Sequence, residues 1–235
     1  MIRSAMKNNN ETFYKEYEEL IQTGKIETLV NFETFFYELR ENSSLWGLFV
    51  NAGYLTIDEI IDYRRKKYVL RIPNDEVRME FQSLTANYLQ VQASNMENII
   101  DSLIHQKWDK FLDEYRSVLL QSVSSHDLIS ENSYHLLLLG MCLWLKDAYE
   151  VTSNRENGEG RYDILLRSKR SNSPSILMEL KYTKDASCNL KELAEKGLLQ
   201  IEERKYQTGI ENCVCVSLAH HGKQVEMKVK EEQSS

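Results

Sequence analysis

The stretch GRYDILLRSKRSNSPSILMELKY, residues 160–182, decides how this chain reads. In SILMELKY a strand's period of two puts Ile176, Met178, Leu180 and Tyr182 on one face and Leu177, Glu179 and Lys181 on the other. RYDILLR reads as a second strand from Arg161 to Arg167, with Tyr162, Ile164 and Leu166 sharing a face and Asp163 standing opposite. Burying an unpaired carboxylate in so apolar a run is costly. Two acids and a lysine on neighbouring strands therefore call for a compensating cation, which a divalent metal supplies. A hard cation such as magnesium prefers oxygen ligands, polarises a phosphoryl oxygen and lowers the pKa of bound water, so the set suits phosphodiester hydrolysis. Lys181 then orients or deprotonates the water, or stabilises the transition state, and the residues alone do not separate these roles. The plainer reading keeps Glu179 and Lys181 as a surface ion pair with Asp163 unrelated to them.

Working outward, a helix is predicted from about Asn189 to Lys205, with Leu190, Leu193, Ala194, Gly197, Leu198 and Ile201 on one face. Two strands close the chain, Asn212 to Leu218 and Gln224 to Val229, joined by His220, His221 and Gly222; both histidines read as surface residues. Upstream lie a helix over Tyr134 to Leu145 and a strand over Tyr149 to Ser153. The order αβββαβ with an extra strand implies an α/β (α+β) domain with a mixed central sheet flanked by helices. In the hairpin SNRENGEGRYD, Gly158 and Gly160 permit a tight turn, and Arg155 and Arg161 either meet phosphates or stay solvated.

The first 90 residues read as helical with one short β element. Tyr14, Tyr17, Leu20 and Ile21 recur at helical spacing, as do Phe32, Phe35, Phe36 and Leu39. SSLWGLFVNAGYLTI (43–57) continues the pattern, and YVLRIPN (68–74) reads as a strand stopped by Pro73, so the module looks winged-helix-like. From Asp75 to about Ser122 the chain is again helical, with Val77, Phe81, Leu84, Tyr88, Ile99, Leu103, Trp108 and Leu112 as core positions. The polar run SVSSHDLISENS places the boundary near residues 122–130. The expected division is a helical, winged-helix-like and linker region over 1–125 and a catalytic domain over 126–235.

Composition narrows the classes. The 235 residues, 42% hydrophobic and 28% charged, are enough to bury a sizeable core. The longest apolar run, His135 to Leu145, falls short of the roughly 20 residues that a membrane-spanning helix needs. The N-terminus lacks the apolar region of a signal peptide, so a cytoplasmic (intracellular) protein is expected. Cys142, Cys188, Cys213 and Cys215 sit at no metal-ligand spacing and read as buried reduced thiols. The net charge of −7 lies mainly in the N-terminal part, so a local basic surface or bound cations can still hold phosphates.

The pattern GEGRYDILL (158–166), the sixteen positions from Asp163 to Glu179 in MELKY, and LLQIEERKY (198–206) on the following helix resemble the nuclease domain of bacterial PD-(D/E)XK proteins. The segments SLWGLFVNAGYLTI and YVLRIPNDEVRMEF are similar to the region that joins an AAA-ATPase-like domain to the nuclease in that family, so the likeness spans roughly residues 30 to 215. It implies a restriction-endonuclease-like fold and a Mg2+ (or Mn2+) dependent nuclease. Asp163 and Glu179 become metal ligands, Lys181 the catalytic lysine, and the carbonyl of Leu180 a further ligand. Gln200 and Tyr206 match the helix motif, as contacts to water, phosphate or substrate, or else as a boundary glutamine and a packing tyrosine. ENSYHLLLL (131–139) resembles the family's opening helix, which makes His135, and after it Glu131, a candidate third ligand or a satisfied core residue. Tyr162 replaces the proline of the signature, as in many members. No G-x-x-x-x-G-K-[ST] occurs, so the chain reads as a nuclease without its motor or a truncated relative.

The leading expectation is a magnesium-dependent nuclease acting on DNA, with RNA as the other nucleic acid, whose N-terminal half binds DNA, a protein partner or a second copy. The alternative is an inactive nuclease-fold module that binds protein or nucleic acid.

Overall fold

The computed structural model describes residues 11–33, 42–88, 93–121, 131–170 and 173–231. The chain divides into two units, one ending at Tyr88 and one beginning at Leu89.

The first unit contains α1 (Glu11–Thr23), β1 (Lys25–Leu29), α2 (Asn42–Asn51), β2 (Thr56–Asp62), β3 (Lys67–Arg71) and α3 (Asp75–Tyr88). Its three strands form an antiparallel sheet in the order β1-β3-β2, where the sequence predicts a single β element. The two extra strands carry weak sequence signals for opposite reasons. β1 alternates correctly but over only 5 residues, while β2 is an edge strand with no buried face and hence no alternation. The core is aromatic: Phe13 stacks on Trp46 at 5.2 Å, Phe49 meets Phe81 at 5.5 Å, and Trp46 Nε1 donates to Glu16 at 2.7 Å. Phe35, Phe36 and Leu39, expected on a helix, lie outside the described residues, as do the side chains of Tyr14, Leu84 and Tyr88.

The second unit contains α4 (Ala93–Ile104), α5 (Trp108–Gln121), α6 (Glu131–Cys142) and a 3-10 turn (Leu143–Leu145). Next come β4 (Tyr149–Ser153), β5 (Glu156–Asn157), β6 (Gly160–Arg161), β7 (Ile164–Ser168), β8 (Ser175–Tyr182), α7 (Leu190–Glu203), β9 (Cys213–His221) and β10 (Gln224–Glu231). Five strands form a mixed sheet in the order β10-β9-β8-β7-β4. β8 and β9 run parallel because α7 carries the chain back between them; the other pairs are antiparallel.

Helices cover both faces. Leu198 and Ile201 of α7 join Leu165, Leu177, Cys213 and Cys215 on one, and Met178 meets Ile99, Leu103, Phe111 and Leu138 on the other. α4 and α5 thus belong to the second unit instead of linking two domains. The division falls at 88/89 and not in the polar run 122–130, which lies outside the described residues, because the apolar faces of these helices are buried within that unit. Phe81, Ile99 and Leu103 are buried as expected, whereas Val77, Trp108 and Leu112 are half-buried.

Candidate active site

β8 keeps the predicted bounds, and its alternation points Leu177, Glu179 and Lys181 at α7. Asp163 differs from expectation. The run from Arg161 to Arg167 is not one strand: β6 ends at Arg161, β7 begins at Ile164, and Tyr162 and Asp163 lie in the break. The break has backbone causes, since Tyr162 N donates to the carbonyl of Arg155 and Asn154 N to that of Asp163. Asp163 therefore stands at the end of β7, where its Oδ2 accepts from the backbone N of Leu180 at 2.6 Å. That bond sets the acid beside the segment that carries Glu179 and Lys181.

Glu179 is 2% exposed. Its Oε1 accepts from Lys181 Nζ at 2.7 Å and from Gln200 Nε2 at 2.7 Å, while Gln200 Oε1 accepts from the same ammonium at 2.8 Å. Lysine, glutamate and glutamine thus form a closed triangle. Gln200 Nε2 also donates to the hydroxyl of the buried Tyr206 at 3.2 Å. Glu179 Oε2 is buried and has no hydrogen-bond partner. Burial first, and then the negative charges of Asp163 and Glu131, push the Glu179 carboxyl up to about 7 against the pull of Lys181.

Other predicted residues are placed differently. His135 is buried with Nε2 3.1 Å from the backbone carbonyl of Asp163, so it braces the break. Among the described residues no group of three His, Cys, Asp or Glu side chains converges as a metal cage. Arg155 and Arg161 are exposed on the β5–β6 hairpin, and Arg161 comes within 4.0 Å of Glu156. Gly158 has φ +59 and packs so closely on the end of α7 that a Cβ there would meet the carbonyl of Lys205 at 2.3 Å. The hairpin docks where Tyr206 begins: Asn157 Nδ2 donates to Tyr206 O at 2.6 Å and Glu159 N to Arg204 O at 2.7 Å.

His220 corrects the surface reading of the terminal histidines. It is fully buried, stacked on Tyr134 at 4.2 Å, with Nδ1 3.2 Å from the carbonyl of Lys181 and Nε2 3.1 Å from the hydroxyl of Tyr115. Of the four free cysteines, Cys188 is half-exposed and the other three are buried.

Two further residues stand near the site. Glu131 is exposed overall, yet desolvation and then the charge of Asp163 raise its carboxyl pKa, which places it in the same field as Glu179. Its signal was the spacing of four to His135, which puts both on one helix face. Ser217 pairs with Glu179 across β8 and β9, and its Oγ is buried without a hydrogen-bond partner. A lone serine inside CVCVSLAH was the only mark it left in the sequence.

The donor set fits a divalent cation. An ionised, buried carboxylate oxygen without a partner is costly, and a hard cation removes that cost with the ligand type it prefers. Two carboxylates also suffice for magnesium, which usually keeps several waters and takes oxygens from substrate.

A five-stranded mixed sheet between helices, with two acids, a lysine and a helix-borne glutamine gathered beside one strand, is the arrangement of a restriction-endonuclease-like fold. Residues 129–230 match the model of the PD-(D/E)XK nuclease superfamily. The match includes every side chain of the triangle and both acids beside it. No curated protein matches the chain. Among the described residues no helix is long and apolar enough to cross a membrane.

Proposed function

We propose that this chain is an intracellular, metal-dependent nuclease that hydrolyses phosphodiester bonds in DNA. The observation that carries the reading is the unpartnered, buried Oε2 of Glu179 beside Asp163. Asp163 and Glu179 would hold Mg2+ or Mn2+, with the carbonyl of Leu180, water and a substrate oxygen filling the other positions. The bound ion supplies Lewis-acid polarisation of the phosphoryl oxygen and a more acidic water.

The chain's own side chains do the rest. Glu179 Oε1 and Gln200 Oε1 each accept a hydrogen bond from the Lys181 ammonium, which occupies two of its three N–H groups and holds that cation in one place. The third proton is available for the attacking water or for a phosphate oxygen that gains charge in the transition state. Gln200 keeps its orientation because Tyr206 and Glu179 both accept from its Nε2. Arg155 and Arg161, exposed on the hairpin, serve as contacts for the phosphate backbone. His135 assists as the brace of the Asp163 carbonyl. We assign the catalytic chemistry to residues 126–235, supported by α4 and α5.

Linear, circular, branched and single-stranded DNA, and RNA in parallel, are incubated with the purified chain and magnesium or manganese. At least one DNA is expected to be cut, EDTA to stop the reaction, and Asp163→Ala or Lys181→Ala to lower the rate by a factor on the order of 100 or more. A folded chain that cuts nothing would sink the nuclease reading and favour a binding module that keeps the fold.

A further inference from the structure

The β2–β3 hairpin of the first unit turns through Tyr63, Arg64, Arg65 and Lys66 and enters β3 at Lys67, so the longest unbroken run of cations in a chain of net charge −7 sits at a hairpin tip. The turn is built to hold that shape. Asp62 Oδ1 accepts from the backbone N of Arg64 at 2.9 Å and of Arg65 at 3.0 Å, Lys66 N donates to Tyr63 O at 3.3 Å, and Lys66 takes the left-handed φ of 54. Asp62 is thereby engaged mainly with the backbone. Its carboxylate reaches Arg65 only at 3.6 Å, and the Arg65 side chain stays 83% exposed. Lys67 pairs with Glu27. Arg64 and Lys66 are exposed and form no ion pair among the described residues, and Tyr63 beside them is 77% exposed.

Like charges on consecutive residues repel one another, and the unit leaves Arg64 and Lys66 without a counter-charge among the described residues; a polyanion supplies one. We infer that this tip is a nucleic-acid contact, in which Arg64, Arg65 and Lys66 bind the phosphodiester backbone and Tyr63 lies against a base or sugar. Two features favour nucleic acid over an acidic protein. A free aromatic face next to the cations suits stacking on bases, and a two-stranded ribbon is narrow enough to enter a groove. The site lies outside residues 129–230 and does not depend on cleavage.

Binding of the full wild-type chain to labelled duplex DNA, single-stranded DNA and duplex RNA is measured in EDTA across a salt series. The three arms separate the sources of the shared phosphate chemistry. At least one is expected to bind, Arg64→Glu/Lys66→Glu to weaken it about tenfold or more, and the slope of log affinity against log salt to fall by about 2. Arg64→Lys/Lys66→Arg keeps the charge and is expected to keep the binding. Both variants should melt with the wild type, since the altered side chains are exposed. The inference is overturned if the wild type binds no nucleic acid, if the double reversal binds as the wild type does, or if polyglutamate displaces the nucleic acid at equal charge concentration. Tight binding in EDTA without cutting in magnesium would strike the proposed nuclease activity and leave this contact standing.

Discussion

Glu179 divides its two oxygens between different tasks: Oε1 anchors Lys181 and Gln200, and Oε2 is buried without a hydrogen-bond partner. Its carboxyl pKa lies above the ordinary 4.5, near 7, so the unfolded chain releases this proton at lower pH than the folded one. The metal-free protein therefore loses stability as pH rises through that window. Glutamine mimics the protonated form. Glu179→Gln is expected to stabilise the chain in EDTA at pH 8, on the order of 1–3 kcal/mol, and to bring little change at pH 5. Saturating magnesium reverses the order at pH 8, because only the carboxylate gains from the cation. Thermal melts of both proteins with and without the ion decide this; a wild type that is the more stable in EDTA would contradict it. The strand period sufficed to put Glu179 and Lys181 on one face. Asp163 was harder, because its place is set by backbone bonds to Asn154 and Leu180 that leave no mark in a hydropathy pattern.

α7 lies so close to β9 that a Cβ on Gly197 would meet Ser217 Oγ at 2.0 Å and Ser217 Cβ at 3.0 Å. Gln200 sits one turn beyond that contact, so the distance between helix and sheet sets how the glutamine reaches Glu179 and Lys181. Gly197→Ala raises helix propensity by about 1 kcal/mol, but the overpacking is expected to outweigh it and destabilise the protein by about 1–3 kcal/mol. Activity on whichever substrate is cut should fall more than the melting temperature implies, since the Gln200 triangle shifts with the helix. Adding Ser217→Ala removes the nearer atom and should restore part of both. Double-mutant melting and rates check the coupling; strictly additive effects would argue against the contact. The structure shows that Asn189 caps the helix, its side chain accepting from Lys191 N and Glu192 N. The helix itself was legible from its apolar stripe. Its separation from β9 was not, because a glycine in a helical pattern does not reveal what approaches it.

All five histidines lie beyond residue 104, so a response of stability to pH between 5 and 7 through histidine belongs to the second unit. His220 carries most of it. Burial lowers its pKa from 6.5 to about 3, so below pH 6.5 the unfolded chain takes a proton that the folded one refuses. Stability is thus lost as pH falls from about 6.5 towards 3, by roughly 2 kcal/mol between pH 7 and 5. His220→Gln should be less stable at pH 7 and show a flatter profile; an unchanged slope in urea titrations would refute the assignment. The sequence by itself determined the strand bounds of β8, the helix that follows it, the shared face of Glu179 and Lys181 and the mixed sheet, because these depend on local periodicity and turn residues. Tertiary structure alone decided that Asp163 stands in a break instead of a strand, that α4 and α5 belong to the second unit, that His220 is buried behind Lys181, and that one oxygen of Glu179 is left without a partner. Those facts arise from contacts between residues far apart in the chain, whose pairing no local pattern encodes.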